Sequence, residues 1–550
     1  MEKEKYWSKA TVYQIYPRSF KDSNGDGIGD IPGIISKLDY LKNLGVGIIW
    51  LSPIYKSPLD DMGYDIADYC SIHPDYGTME DFDTLIAEAK KRGLRIVMDL
   101  VVNHTSDEHK WFQESKKIDS PYHDYYYWRE GKDGNKLPPN NWTSMFTGSA
   151  WTYEEEAKMW YLHLYGEKQP DLNWHNPKVL EEVEKIISFW LERGVYGFRC
   201  DVINQIYKES LEDGKGHSAS GRGMEHYLMK EGNHKILRKL YDDIFSNRDA
   251  VMIGETYKVD FDNGVRFLEN HELDMFFIFD HVDVGKSYNP FFKGRFSSRR
   301  FMDIIFAWQA RSPWMANYLE NHDQLRSISR FGDEKKYWKE SGKMLATLNL
   351  TLRGTPFIYQ GEEIGMLNLP YVMKHEDYAD LACARIFDLM KGYKVFSDRF
   401  AEKFADTLNR DHARTPMQWN ASPNAGFASP EAVPWRPVNA NHPSINVALE
   451  EKDLDSILSY YKKLLSLRKE KDVFSKGDFK VLLNKDPVYA YCRNLGDTSI
   501  LVLFNFSKKN VALPKTLKPL KGEVLLSNYD IQDAAEVVGL HPYEALILSC

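Results

Sequence analysis

An arginine and an aspartate two residues apart close the apolar run Gly197-Phe198-Arg199-Cys200-Asp201-Val202. In an extended strand side chains alternate between faces, so Arg199 and Asp201 share one face while Cys200 turns to the other. A fixed guanidinium beside a carboxylate favours its ionised form, which predicts a lowered pKa for Asp201 and suits it to nucleophilic or electrostatic work. Three further segments follow the same plan. Residues 95–102 (RIVMDLVV) lead into Asn103-His104, residues 251–254 (VMIG) into Glu255-Thr256, and residues 314–319 into Glu320-Asn321-His322-Asp323. Any one of these reads equally well as a structural ion pair or a helix cap. Together they require a fold that gathers four strand ends.

Eight strand-like segments lie near residues 11–18, 47–53, 95–102, 197–202, 251–256, 274–280, 314–321 and 354–360, and apolar residues recur at helical spacing between several of them, as over 178–192. Alternating strands and helices predict a parallel sheet, and eight of them a closed (β/α)8 TIM barrel, whose active site sits at the C-terminal strand ends. Residues 104–174, rich in Tyr, Trp, Asn and Gly, are too many for a connection and predict a small domain over that face. A second long connection, about 365–435, is expected to help close the pocket. From about 480 short alternating runs without helices predict an antiparallel β-sandwich. The expected organisation is a barrel of residues 1–103 and 175–479, an inserted domain of 104–174 and a C-terminal domain of 480–550.

These four segments, in this order, resemble the signature regions of the α-amylase superfamily of retaining glycoside hydrolases (glycoside hydrolase family 13). Gln169-Pro170-Asp171-Leu172-Asn173 and Ala413-Arg414-Thr415-Pro416-Met417-Gln418-Trp419 narrow the resemblance to the branch of oligo-1,6-glucosidases, dextran glucosidases and α-glucosidases. Such enzymes need one carboxylate to attack the anomeric carbon and one carboxylic acid to release the leaving group. Asp201 has an arginine two residues away, whereas Glu255 has no cation adjacent in sequence. The resemblance makes Asp201 the nucleophile, Glu255 the general acid/base and Asp323 the third carboxylate. It makes His104 and His322 donors to sugar hydroxyls and Tyr64 the ring that stacks on the terminal glucose. Asp65 becomes the carboxylate gripping that sugar's far hydroxyls, paired with Arg410 in preference to Arg414. That ion pair would block chain extension and make the enzyme exo-acting.

The loop Asp22-Ser23-Asn24-Gly25-Asp26-Gly27-Ile28-Gly29-Asp30 alternates oxygen donors with small residues, as a cation-wrapping loop does, but has no glutamate at the twelfth position of an EF-hand. The resemblance implies a structural calcium held by Asp22, Asn24, Asp26, the Ile28 carbonyl and Asp30, and no organic cofactor. Val202, directly after Asp201, accompanies α-1,6 preference in this branch. The leading expectation is therefore an exo-acting α-glucosidase that cleaves isomaltose and isomalto-oligosaccharides. The alternatives are a sucrose isomerase, a sucrose- or α-1,4-active α-glucosidase and a trehalose-6-phosphate hydrolase. Residues 294–299 (GRFSSR) lack the alternating Arg/Asp cluster of the isomerases, and a phospho-disaccharide would need a cationic leaving-group subsite. A non-catalytic scaffold would have lost the carboxylates that this chain keeps. Three departures from the family pattern stand out: Cys200 where Met or Leu is usual, Leu325 in place of Pro, and Tyr257, which could wall the leaving-group side.

Composition excludes other classes. The formal net charge of -9 and the lack of a basic arm argue against nucleic acid. No stretch of about 18 apolar residues could span a membrane. Five cysteines, odd in number and without a CxxC pair, argue against a disulfide framework and for a reducing compartment. The expectation is a cytoplasmic monomer or weak homo-oligomer acting on small oligosaccharides.

Overall fold

The computed structural model describes residues 5–292 and 294–550. Its centre is an eight-stranded parallel sheet built from Val12–Ile15, Ile48–Leu51, Arg95–Leu100, Gly197–Cys200, Val251–Glu255, Met275–Phe277, Ala316–Asn317 and Thr355–Tyr359. These are the eight segments that the sequence predicts. Hydrogen-bonded neighbours run sixth, fifth, fourth, third, second, first, eighth, seventh, and every ladder among them is parallel. The sixth and seventh strands share no ladder. Side chains close that seam: the rings of Phe277 and Tyr318 meet edge to face at 5.1 Å, and the Tyr318 hydroxyl donates to the Ile278 carbonyl at 3.0 Å.

Period-two alternation sorts the strand residues into two cores. Val12, Ile48, Trp50, Val97, Val251 and Ile253 fill the barrel. Their neighbours Tyr13, Ile49, Leu51, Ile96, Met98 and Met252 face the outer helices. Cys200 belongs to the outer set, as alternation requires, and burial drives its thiol pKa far up, so it packs rather than reacts.

Two excursions build the roof over the strand ends. Within the first, Trp128–Arg129, Trp151–Glu154 and Met159–Leu162 form a small antiparallel sheet. The Gln169–Asn173 motif clamps this roof to the barrel. Asp171 pairs with buried Lys208 at 2.6 Å, Lys208 also donates to Asn103 at 2.7 Å, and the Gln169 amide reaches Asp61, His104 and the Tyr64 carbonyl within 3.3 Å. The second excursion carries the helices Leu381–Gly392 and Asp398–Asp406, packed on each other. At the C-terminus a five-stranded antiparallel sheet lays Tyr489, Tyr491, Val502 and Phe504 against the barrel layer. Its other face packs Ala490, Leu503 and Leu546 beneath a two-stranded ladder formed by Val511–Ala512 and Gly539–Leu540.

Candidate active site

One guanidinium organises the strand ends. Arg199, 1% exposed, lies between three carboxylates: Nη1 is 2.6 Å from both Asp99 Oδ1 and Asp201 Oδ1, and Nη2 is 2.8 Å from Glu255 Oε1. Asp99 stands on the third strand, Asp201 just past the fourth and Glu255 ends the fifth, so three adjacent strands deliver them to one planar fork. Asp99 is further fixed by the Trp50 indole N–H at 2.9 Å. It was hidden in the sequence inside an apolar run; a carboxylate amid RIVMDLVV was the available signal.

This geometry corrects two expectations. Glu255 does have a cation beside it, the same one as Asp201. Nor does Arg199 lower the Asp201 pKa: burial outweighs it, and with Asp99 also pressing against the charge, Asp201 is raised to about 6. Burial likewise raises Glu255 to about 7, against the pull of Arg199 and with the push of the Asp201 charge. The order predicted for the two groups survives for a different reason: both carboxyls are desolvated, and the pair sheds its first proton more readily at Asp201.

Val202, which lines the cavity, takes φ 39° and ψ 36°, a left-handed conformation that a β-branched residue rarely adopts. This conformation aims its backbone N–H at Glu255 Oε2, 3.0 Å away. Strain at one residue thus fixes the second carboxyl of the pair.

Asp201, Glu255, Asp323, Tyr64, His104 and Arg410 line a cavity of about 290 Å³. Burial alone would raise the Asp323 pKa. His322 at 3.1 Å, Arg410 at 2.9 Å and Arg414 at 3.0 Å instead hold it well below the usual carboxylate range. Arg410 and Arg414 both bond Asp323 Oδ1, but of the two only Arg410 lines the cavity. Tyr64 presents its ring to the cavity. His322 stacks behind it, ring to ring at 5.3 Å, with Nε2 2.6 Å from the Tyr64 hydroxyl, and so braces Tyr64 and Asp323 rather than standing on the cavity wall.

Asp65 is not in the cavity. It is fully buried beneath the loop, accepting from the Ser57 hydroxyl at 2.9 Å and from the Asp60 and Asp61 N–H groups at 2.8 and 3.1 Å, and burial raises its pKa to about 7. The wall acid is Asp61, whose Oδ1 lies 3.6 Å from Arg410 Nη2. The turn through Met62 (φ 51°) and Gly63 (φ 104°) reverses the chain between the two aspartates, a reversal that residue spacing does not reveal. Arg410 is held from behind by Asp380 at 2.7 Å, and its guanidinium lies 5.6 Å from the centre of the Phe146 ring. Asp380, which also caps the helix Leu381–Gly392, was likewise missed by the sequence reading.

In the loop of residues 22–30, Asp22 accepts the N–H groups of Asn24, Gly25 and Gly27 at 2.9, 2.6 and 2.9 Å, and Asp30 caps the following helix through the Gly33 N–H. Gly25 and Gly27, at φ 86° and 87°, wrap the chain into a tight turn. Among the described residues no three His, Cys, Asp or Glu side chains gather as a metal-ligand group. The donors are nonetheless all oxygens, suited to a hard cation, and a carboxylate that accepts backbone N–H groups keeps lone pairs free.

A parallel barrel that brings two desolvated carboxyls onto one guanidinium, beneath a roof that closes one end of the cavity, has the construction of a glycoside hydrolase. The family profile described as alpha amylase, catalytic domain, matches residues 14–477. The chain belongs to the alpha-amylase family. It is 46% identical to an oligo-1,6-glucosidase of Parageobacillus thermoglucosidasius over 98% of each chain. Among solved structures, a variant of the trehalose-6-phosphate hydrolase of Bacillus licheniformis superposes with a TM-score of 0.93 at 40% identity, covering 99% of this chain and 100% of that one. An isomaltulose synthase from Klebsiella sp. LX3 does so with a TM-score of 0.93 at 39% identity over 100% of both chains.

The two carboxyl pKa values fix the pH dependence. With Asp201 required ionised and Glu255 protonated, kcat/KM on an uncharged α-glucoside should rise as pH passes about 6 and fall above about 7. In Glu255→Gln, assayed on an activated aryl glucoside, the alkaline limb should vanish; its persistence would contradict the assignment.

Proposed function

We propose that the protein is a retaining, exo-acting α-glucosidase that removes glucose from the non-reducing end of isomaltose and short isomalto-oligosaccharides. The observation that carries this reading is the pair Asp201 and Glu255 on Arg199, in a small cavity walled at one end by Arg410 and Asp61. Ionised Asp201 attacks the anomeric carbon as the glycosidic bond breaks, and Glu255 gives its proton to the departing oxygen. Glu255 then takes a proton from water, whose oxygen bonds the same carbon and releases Asp201 as a carboxylate. Asp323, held ionised by its arginines, and His104 bind sugar hydroxyls, and Tyr64 stacks on the ring face. The likeness to oligo-1,6-glucosidases and the valine at position 202 support the α-1,6 linkage.

The alternatives find less support. Arg295 and Arg299 do not line the cavity, and Arg299 bonds Asp303 and the Asn484 carbonyl instead, which weighs against an isomerase. Lys286 is the one lysine on the cavity lining among the described residues. It is already committed to Asp283 and Gln324, each at 2.8 Å, which weighs against a phosphorylated leaving group. The five unpaired thiols support a reducing, cytoplasmic setting, and no described helix is long and apolar enough to cross a membrane.

The calcium proposal is separate from the chemistry: Asp22, Asn24, Asp26, the Ile28 carbonyl and Asp30 would hold the ion, which would brace the loop. Calcium at a hundredfold excess over its Kd should stabilise the fold by about 2.7 kcal/mol, and Asp26→Ala should abolish that gain. A melting temperature indifferent to calcium and to chelator would remove the ion from the account.

Comparing kcat/KM on isomaltose, maltose, sucrose and trehalose-6-phosphate tests the specificity, with isomaltose expected to lead. Asp201→Asn should lower kcat at least about 1,000-fold while the fold and sugar binding persist. Val202→Thr should shift the ratio of isomaltose to maltose towards maltose by about 1 to 3 kcal/mol. A wild-type preference for maltose or trehalose-6-phosphate would overturn the linkage reading and leave the glucosidase chemistry standing.

A further inference from the structure

At the end of the barrel opposite the catalytic carboxyls lies a cavity of about 1070 Å³, lined by Thr11, Gly47 and Arg95 at the starts of the first three strands. In a chain of net charge -9 its lining has the opposite sign: eight lysines and arginines stand there against one acid, Asp249. Four separate elements bring most of them. Lys5 precedes the helix Tyr6–Lys9, Lys42 lies on the helix Leu38–Leu44, Arg248 follows the π-helical turn Tyr241–Phe245, and Arg468 and Lys469 lie on the helix Ile457–Glu470. A concave surface lined by one sign of charge focuses its field and concentrates counter-ions.

The protein neutralises only part of this charge. Lys9 pairs with Asp472 at 3.0 Å, Arg92 with Asp39 and Glu88 at 2.7 Å each, and Arg95 with Asp249 at 2.8 Å. The Tyr6 and Tyr196 rings also hold the Arg95 guanidinium, 3.9 and 4.3 Å from their centres. Lys42, Arg248 and Lys469 make no side-chain hydrogen bond or ion pair with any described residue. Arg468 is different again, a fixed charge that is only 4% exposed. Its Nη1 and Nη2 donate to the Leu350 and Gly354 carbonyls at 2.9 and 2.6 Å, its Nε has no acceptor among the described residues, and no carboxylate meets it. Burial, with Arg493 nearby, lowers its pKa to about 9, so it stays charged at neutral pH. A buried charge without a counter-ion is costly, and an anion in the cavity would offset that cost.

We propose that this cavity binds a small, multiply phosphorylated anion whose phosphate oxygens accept hydrogen bonds from Lys42, Arg248 and Lys469 within the field of Arg468. Phosphate suits ammonium and guanidinium donors. More than one phosphate is called for because the three unpaired cations stand on three different elements. A long polyanion fits less well, since it would run out of a bounded cavity onto the surface of an acidic protein. The site is independent of the glucosidase reading, whose groups lie at the other end of the barrel.

Titration calorimetry of the full chain with inorganic triphosphate tests this. One equivalent should bind, at least about tenfold more tightly than orthophosphate, and more weakly as salt is added. In Arg248→Gln/Lys469→Gln, altered at two residues without partners, Kd should rise at least about tenfold while the melting temperature without ligand is retained. The control Lys515→Gln/Lys518→Gln removes the same charge from exposed positions of the C-terminal domain and should leave Kd unchanged. No heat with triphosphate, or equal weakening in both variants, overturns the proposal. So does a short DNA duplex that binds more tightly than triphosphate and is lost in the first variant, since the surface would then serve nucleic acid.

Discussion

The buried contact of Arg199 with Asp99, Asp201 and Glu255 is the constraint around which the strand ends are arranged. Three carboxyls beside one guanidinium cannot all be comfortably ionised in a dry site, so the cluster holds a proton near neutral pH. Asp99, tied to Trp50 as well, completes the electrostatic frame; Asp201 and Glu255 face the cavity and share the titration. Removing Arg199 would strand three desolvated carboxyls, which explains why the residue is sealed under the cavity floor rather than exposed within it.

The second level of organisation is the roof. The barrel supplies the reacting groups, while insertions supply the walls: Phe146 and Tyr165 from the first, Asp380 and Arg410 from the second. Arg410 ties these levels together, reaching Asp323 from the barrel, Asp380 from its own excursion and Asp61 from the loop after the second strand. The end wall is thus made of charged groups each paired with an opposite charge.

Much of this was legible in the sequence because barrel strands alternate strictly. Period two separated Arg199 and Asp201 from Cys200, and the eight strand segments appeared in order. What stayed hidden depends on three-dimensional surroundings. Asp99 sat inside a run that reads as uniformly apolar. The choice between Asp61 and Asp65 turned on two positive φ values at Met62 and Gly63. Burial reversed the sign of the Asp201 shift, since sequence shows a neighbouring charge but not the loss of water around it. The conformation of Val202 carries no sequence signature either, as valine is among the residues least suited to it.

The central claim is that Arg199 leaves Asp201 as the group that attacks and Glu255 as the group that delivers the proton. Quenching the enzyme during turnover of a slow fluorinated α-glucoside with an activated leaving group, then mapping the glucosylated peptide by mass spectrometry, tests it most directly. The account predicts a single glucosyl ester on Asp201, accumulating further in Glu255→Gln, whose second step lacks its base. A label on any other side chain, or a fully active enzyme that never carries one, would contradict it.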